Sequence, residues 1–203
     1  MDVFEAIATT RAMRRLDATR PVSDADVLKV VEAATKAPTG GNSQPVRWMV
    51  VRDPDKRRRL GEIYQACWAP VHDFYAAQAD GSPAVERMLR SADHLGEHMG
   101  DAPVILLPCS RGQVGQAEAS VFPAVQNLFL AARALGLGTT LTTVHCLQEG
   151  EVRAVLGIPD DVITWAMIPM GYPTGRWGEA PRRPVAEVAY WDTWKEPPPA
   201  AAS

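Results

Sequence analysis

An α+β or α/β layering, with about four core strands and a heavily helical remainder, is the fold this sequence predicts. Three observations carry it. Four β-rich or apolar runs, at 48–51, 103–109, 139–144 and 162–170, are short enough to be strands. Helical patterning separates each run from the next. The strongest helical pattern, 118–135, is apolar nearly all round, with Phe122, Val125, Leu128, Phe129 and Ala132 on its richest face, so it belongs at the centre of the fold or in a subunit interface.

The chain has 203 residues, 46% hydrophobic and 22% charged, which predicts one domain able to bury a real core. A net charge of −3 gives no global reason to expect nucleic acid or an acidic membrane surface as a partner. No apolar run approaches the ~18 residues of a membrane span, and the N-terminus lacks a signal-peptide pattern. Cys67, Cys109 and Cys146 are odd in number and widely spaced, which suits reduced thiols in a cytoplasmic protein.

Taken in order, Val3, Ile7, Ala8 and Arg11 have helical spacing over 3 to about 10, followed by a cationic segment with Arg11, Arg14 and Arg15. Ser23 reads as an N-cap with Asp24 and Asp26 in the first turn of a helix that ends at Pro38. Its nearly all-round apolar pattern predicts a buried helix. Trp48 to Val51 form a strand stopped by Asp53-Pro54, and a helix with a basic face restarts at Lys56. Residues 65–100, with Trp68, His72, Phe74 and Tyr75, a turn at 80–83 and a polar helix at 85–99, are expected to be an excursion, a lid over a pocket. A buried strand at 103–109 leads through a loop at 112–115 to the long helix, which Gly136 caps. Next come the Thr-rich strand at 139–144, a short helix at 149–156 closed by Gly157, and a strand at 162–170. Residues 1–195 are expected to form the domain and 196–203 a disordered tail.

The stretch richest in chemistry is Ala37-Pro38-Thr39-Gly40-Gly41-Asn42-Ser43-Gln44-Pro45. Two prolines and two glycines constrain it more than a helix-to-strand turn requires, and Asn42 and Gln44 can both donate and accept hydrogen bonds. The plain reading is a C-cap and turn; the polar triplet argues for a loop at the edge of a ligand. Other motifs are weaker. His94-Leu95-Gly96-Glu97-His98 has zinc-protease spacing but no third ligand, so an exposed polar helix explains it better. His145-Cys146 and Cys109 lack a nucleophile elbow and read as structural thiols. Gly136-Leu137-Gly138 follows a helix and precedes a strand, the reverse of a dinucleotide fingerprint. The remaining parts are Arg11 and Arg14, Asn42 and Gln44, the Thr-rich run, and Arg182-Arg183. Together they suit a ligand with a phosphate at one end and a hydrogen-bonding heteroaromatic edge at the other, as in flavin mononucleotide (FMN).

On three segments the sequence resembles the nitroreductase family of FMN-dependent oxidoreductases. Thr10-Arg11-Ala12-Met13-Arg14 stands where the family has Arg-Arg-Ser-x-Arg. The 37–45 loop is similar to its A-P-S-x-x-N-x-Q-P-W, and Leu135-Gly136-Leu137-Gly138 with Leu141-Thr142-Thr143 to its flavin-covering segment. Arg182-Arg183-Pro184 is similar to its C-terminal basic pair, and the stretch around Glu97-His98-Met99 looks most like an actinobacterial branch. Thr10, Ala12 and Val46 depart from the pattern, where Arg, Ser and Trp are usual.

The resemblance implies a four- to five-stranded, mostly antiparallel α+β core in an intertwined homodimer with FMN at the interface, the run 185–194 wrapping the partner as an edge strand. Carried over, Arg11, Ala12 and Arg14, with Arg182 and Arg183, would hold the phosphate and ribityl chain. Asn42 and Gln44 would meet the flavin's polar edge, and Leu141, Thr142 and Thr143 its ring. The implied reaction is ping-pong transfer of hydride from NAD(P)H to a nitroaromatic, quinone or activated-alkene acceptor, with no catalytic side chain needed because the flavin carries the chemistry. A dehalogenating or deazaflavin-using relative, or a flavin-binding dimer without turnover, are the alternatives.

Overall fold

The computed structural model describes residues 1–112 and 117–196, with Pro199. The expected loop at 112–115 and tail at 196–203 therefore fall largely outside the described residues.

Local signals set the helix boundaries. Helix α1, Val3–Thr9, starts where the Asp2 carboxylate accepts the Glu5 N–H at 2.8 Å. Helix α2, Asp24–Thr35, is capped by Ser23, whose Oγ accepts the Asp26 N–H at 3.1 Å. Its burial is one-sided: Val27, Val30 and Ala34 are buried, while Leu28 stays 67% exposed. The apolar stripe of α2 is wider than one chain covers, so the expected all-round burial does not occur within this chain.

Strand β1, Arg47–Val51, follows the 38–45 loop and pairs antiparallel with β2, Val104–Arg111. Strand β2 is the centre of the fold. Its alternating side chains feed two layers: Val104 and Leu106 pack with α2 and with α5, Glu118–Ala134, and Ile105, Leu107 and Cys109 pack on the other face. That second layer holds α3, Pro54–Ala77, α4, Pro83–His98, and α6, Glu149–Leu156. Gly157, with φ 66°, closes α6 in the left-handed conformation, as Gly136, with φ 75°, follows the end of α5.

The excursion expected at 65–100 is a helical hairpin whose roots belong to the core. Ile63, Tyr64 and Cys67 of α3 and Leu95 of α4 are buried against Ile105 and Leu107. Two close approaches lock these roots. A Cβ on Gly61 would lie 2.7 Å from the Gly100 nitrogen, and one on Gly96 would lie 2.5 Å from Trp68 Cδ1. The far end, including Phe74 and Tyr75, is exposed.

The run expected as one strand at 162–170 is two. Strand β4, Val162–Thr164, pairs Cys109 with Thr164, and β5, Ile168–Gly171, pairs Leu106 with Ile168. Three residues, 165–167, thus oppose two on β2, a one-residue bulge. The Trp165 N–H still reaches the Pro108 carbonyl at 2.9 Å, and its indole N–H the Ser110 hydroxyl at 2.7 Å. The Thr-rich run is mostly not strand. Only Gly138–Thr139, β3, pairs with β5; Thr142 makes a single bridge to Met167, and Val144–Gln148 is a 3-10 turn. The hydroxyls of Thr140 and Thr142 are engaged by Met13 and Tyr64, so tertiary contacts override β propensity here. His145 and Cys146 therefore lie on that turn, not on a strand; Cys146 is exposed, whereas Cys67 and Cys109 are buried.

The sheet order is β1-β2-β5-β3, with β4 also on β2, and every strand pair is antiparallel, which gives the α+β class. The run 185–194 is a 3-10 turn, Val185–Glu187, followed by bends, and Trp194 is 80% exposed. No helix among the described residues is long and apolar enough to cross a membrane.

Candidate active site

The site residues expected from the sequence fall into two groups at opposite edges of the sheet. At the β3 edge, the segment after α1 is stitched down by long-range bonds. Met13 N–H donates to the Thr139 carbonyl at 2.9 Å, Thr140 Oγ1 donates to the Met13 carbonyl at 2.9 Å, and Ala12 bridges Thr139 in parallel. Gly138 makes this approach possible, because a Cβ there would sit 2.7 Å from Met13 Cβ. Further on, the Asp17 N–H reaches the Tyr172 carbonyl at 2.8 Å.

This stitching carries Arg14 into a half-buried position where its guanidinium makes no hydrogen bond or ion pair with any described residue. Burial lowers the Arg14 pKa, and the nearby Tyr64 phenol partly offsets that. A half-buried cation with no counter-ion among the described residues has the chemistry to pair with an anion. The Tyr64 hydroxyl lies 3.1 Å from Thr142 Oγ1, so Tyr64 joins Arg14 to the Thr-rich segment. Burial raises the Tyr64 pKa, so the phenol is neutral. Arg14 also lines a cavity of about 100 Å³ with Leu16, His94, His98, Asp101 and Pro169. Arg11, Leu141 and Thr143 are exposed on this edge.

At the β1 edge, the loop has a 3-10 turn over Gly40–Asn42, with Gly41, Asn42 and Gln44 at φ 57°, 53° and 47°. Two non-glycine residues in the left-handed region are a strained arrangement, costing about 1–2 kcal/mol each. It is held by Gln44 N–H to Thr39 Oγ1 at 3.1 Å, Gln44 Nε2 to Asn42 Oδ1 at 3.2 Å, and Gly40 N–H to Ser120 Oγ at 3.3 Å. Asn42 and Gln44 are exposed, and their remaining amide groups face outward from the chain. Gln44 also borders a cavity of about 510 Å³ with Arg47, Met49 and Cys109, whose thiol burial pushes up to about 12.

The structure thus brings Ala12, Arg14 and Thr142 together, and leaves Asn42 and Gln44 beyond three strand spacings, roughly 14 Å across the sheet, and toward the Cys109 end of β2, five residues or roughly 17 Å along it from Val104. Arg182 and Arg183 are exposed, and among the described residues the Arg182 guanidinium reaches its neighbour's carbonyl, that of Pro181 at 3.0 Å. The sequence reading missed Tyr64, His94, His98 and Asp101 as neighbours of Arg14. The two histidines stood out only as metal candidates, and their placement between helix and strand was the available signal. Their hydrogen bonds go to Arg15 and Asp101, and no group of three or more His, Cys, Asp or Glu among the described residues is placed to hold a metal ion.

The sequence model described as the nitroreductase family matches residues 7–172. The chain is 30% identical over 181 residues, 85% of its length and 78% of the relative's, to a protein of Methanothermobacter thermautotrophicus named NADH dehydrogenase/NAD(P)H nitroreductase. It is 25% identical to an iodotyrosine deiodinase of Thermotoga neapolitana, covering 90% of this chain and 95% of that one. Among solved structures, a nitroreductase from Desulfovibrio desulfuricans in complex with FMN superposes with a TM-score of 0.71 at 27% identity, over 96% of this chain and 98% of that one.

Proposed function

This chain belongs to the nitroreductase family and is an NAD(P)H-dependent flavin oxidoreductase with FMN as cofactor; from that premise we propose that it passes reducing equivalents to nitroaromatic, quinone or activated-alkene acceptors. The observation that carries the reading is Arg14, a half-buried guanidinium without a counter-ion among the described residues, beside Tyr64, which pairs with Thr142. A phosphate would complement that guanidinium in charge. Arg11, Ala12, Arg182 and Arg183 are assigned to the same phosphate and ribityl end, Leu141, Thr142 and Thr143 to the ring, and Asn42 and Gln44 to its polar edge.

The two groups are offset by roughly 14 Å across the sheet and by roughly 17 Å along it, so one small ligand meets both most simply where a second copy supplies the other edge. Apolar surface left open on this chain supports a homodimer: Val3, Phe4 and Ile7 on α1, with Phe4 79% exposed, and Val185, Val188 and Trp194 near the C-terminus. In that dimer the 38–45 loop of one copy would complete the Arg14 site of the other, and 185–194 would lie against the partner.

Bound FMN supplies the two-electron chemistry, accepting from NAD(P)H and giving to the acceptor in alternation. The chain contributes binding and orientation. Arg14 would neutralise the phosphate, the Tyr64 hydroxyl would hold Thr142 in place, and the amides of Asn42 and Gln44 would read the heterocycle's donors and acceptors. The exposed end of the α3–α4 hairpin is the part of the chain available to cover an acceptor. Three free cysteines and the NAD(P)H requirement suit the cytoplasm, and the Glu97-His98-Met99 region keeps the actinobacterial branch as part of the reading.

Purified protein tests this. Flavin absorbance that bleaches with NADPH or NADH, and returns with a nitroaromatic or quinone, is expected; a protein with no affinity for FMN would sink the proposal. The deiodinase relative favours one second reading, reductive dehalogenation. Release of iodide from iodotyrosine by the reduced protein, with no turnover of nitroaromatics or quinones, would put that reading first.

A further inference from the structure

We propose a second ligand site, separate from the flavin machinery: the cavity where β1, β2 and β4 meet binds an apolar organic acid, its carboxylate held by Arg47.

Strand register builds this cavity. Arg47 of β1 stands opposite Cys109 of β2, Met49 opposite Leu107, and Arg111 of β2 opposite Val162 of β4. Residues opposite each other, or two apart along one strand, share a face of the sheet. Arg47, Met49, Cys109, Arg111 and Val162 therefore lie on the face that carries α3, α4 and α6. Helix α6 runs along that face only as far as Leu156. Gly157, at φ 66°, ends it in the left-handed conformation, and a short turn leads back to β4. The end of the sheet is left open as a cavity of about 510 Å³, well within the ~300–1,000 Å³ range of small-molecule sites.

The lining sets the chemistry of the occupant. Met49, Ile158 and Val162 pack against the core but keep part of their apolar surface open. The charged lining residues are Arg47 and Arg111, with no Asp or Glu among those described. Asp161 pairs with Arg111 and offsets its charge. Arg47 has no carboxylate partner among the described residues, and it is tethered on one side. Its Nη1 donates to the Gln44 and Val46 carbonyls at 2.8 and 3.0 Å. The Nε–Nη2 edge keeps two parallel N–H groups without a partner among the described residues, the pattern that pairs with one carboxylate. A single unoffset positive charge beside apolar walls calls for a monoanion with a hydrocarbon body. A phosphate dianion would need a second free cation and would leave Met49, Ile158 and Val162 against a polar group. Cys109 supplies contact and no nucleophile, since burial pushes its thiol up to about 12.

Titration calorimetry with naphthoate, and with its neutral amide naphthamide, tests the site on the purified protein with and without FMN. Expected is one naphthoate per chain, with naphthamide at least about tenfold weaker, as the loss of a charged hydrogen bond requires. R47M removes the charge and should weaken naphthoate by about the same factor while leaving naphthamide unchanged. I158W fills the cavity and should abolish binding of both probes. Equal affinity for the two probes in wild type would overturn the proposal, and so would the absence of any binding heat at millimolar naphthoate. Wild-type naphthoate affinity in R47M and I158W proteins of unchanged melting temperature would do the same. A dimer that becomes a monomer in I158W, by size-exclusion chromatography, would give the cavity to a contact between copies and also defeat the proposal. FMN binding without a naphthoate site defeats this inference alone; a naphthoate site in a chain that takes up no FMN defeats the flavin reading alone.

Discussion

The two edges of the sheet are built in different ways. The β3 edge is held by bonds between residues far apart in the chain, Met13 to Thr139, Asp17 to Tyr172, and Tyr64 to Thr142. The β1-edge loop is held almost entirely within itself, Thr39 to Gln44 and Asn42 to Gln44, with Ser120 as its one long-range hydrogen bond. One half of the site is therefore tied into the core by long-range bonds, while the other is a strained local structure with exposed amides. A charge has to be placed rigidly to hold a phosphate without collapsing onto a carboxylate. A reading edge can adjust when its counterpart arrives.

Substitutions on each side test that contrast. The largest effect is expected from Arg14→Ala, which should weaken FMN by about 1.5–3 kcal/mol, the value of a charged hydrogen bond, whereas Gln44→Ala should cost about 0.5–1.5 kcal/mol. Titration of FMN into each variant measures both; a larger loss at Gln44 would invert the ranking. Next is backbone packing. Gly138→Ala forces a Cβ against Met13 and should destabilise by about 1–3 kcal/mol. Gly40→Ala, with nothing within 4 Å of the added Cβ, should stay within about 0.5 kcal/mol of wild type. Equal shifts in urea midpoint would erase the distinction between the edges.

Acid should loosen the folded chain on the core side first. His145 is fully buried, its Nε2 lies 3.1 Å from the Thr164 carbonyl, and its Nδ1 has no partner among the described residues; burial holds its pKa below the ordinary value. Above pH ~6.5 the ring is neutral in both states and the linkage adds nothing. Below that, the unfolded chain takes a proton that the native chain refuses, so stability falls with pH at up to about 1.4 kcal/mol per unit until the depressed native pKa is reached. Denaturation at pH 7 and pH 5.5 should show this loss reduced in His145→Asn. A wild-type pH slope in that variant would remove His145 from the account. The smallest effect is Gln44→Gly. Release of left-handed strain and the greater freedom of glycine nearly cancel, leaving at most about 0.5 kcal/mol of stability either way. FMN affinity should nonetheless fall as in Gln44→Ala.

Much of this architecture can be read without coordinates, and the reasons are local. Ser23, Gly136 and Gly157 announce helix ends through their own conformational preferences, and the 37–45 loop announces itself by composition. The split of 162–170 is not legible, because every residue in that run suits a strand and only the register against β2 creates the bulge. The Thr-rich run misleads for the converse reason: its hydroxyls found tertiary partners. Within the site, Arg14 and Thr142 are legible as residue types, but the element joining them is not. Tyr64 stands 78 positions from Thr142 inside a basic helix, and nothing along the chain connects them. His98 was visible as a histidine, but its place beside Asp101 and in one cavity with Arg14 was not.

The contact between Gly61 and Gly100 has a consequence for how such a chain can diversify. With no side chain on either residue, α3 rests directly on the backbone of the turn before β2, and Gly96 seats Trp68 in the same way. The base of the hairpin is thus a socket defined by absence of bulk, while the exposed residues around Phe74 and Tyr75 bear no part of the core. Sequence change, lengthening or shortening at the hairpin tip can proceed without disturbing the socket. A lineage carrying this chain could retool what it accepts while its electron-transfer apparatus stays put.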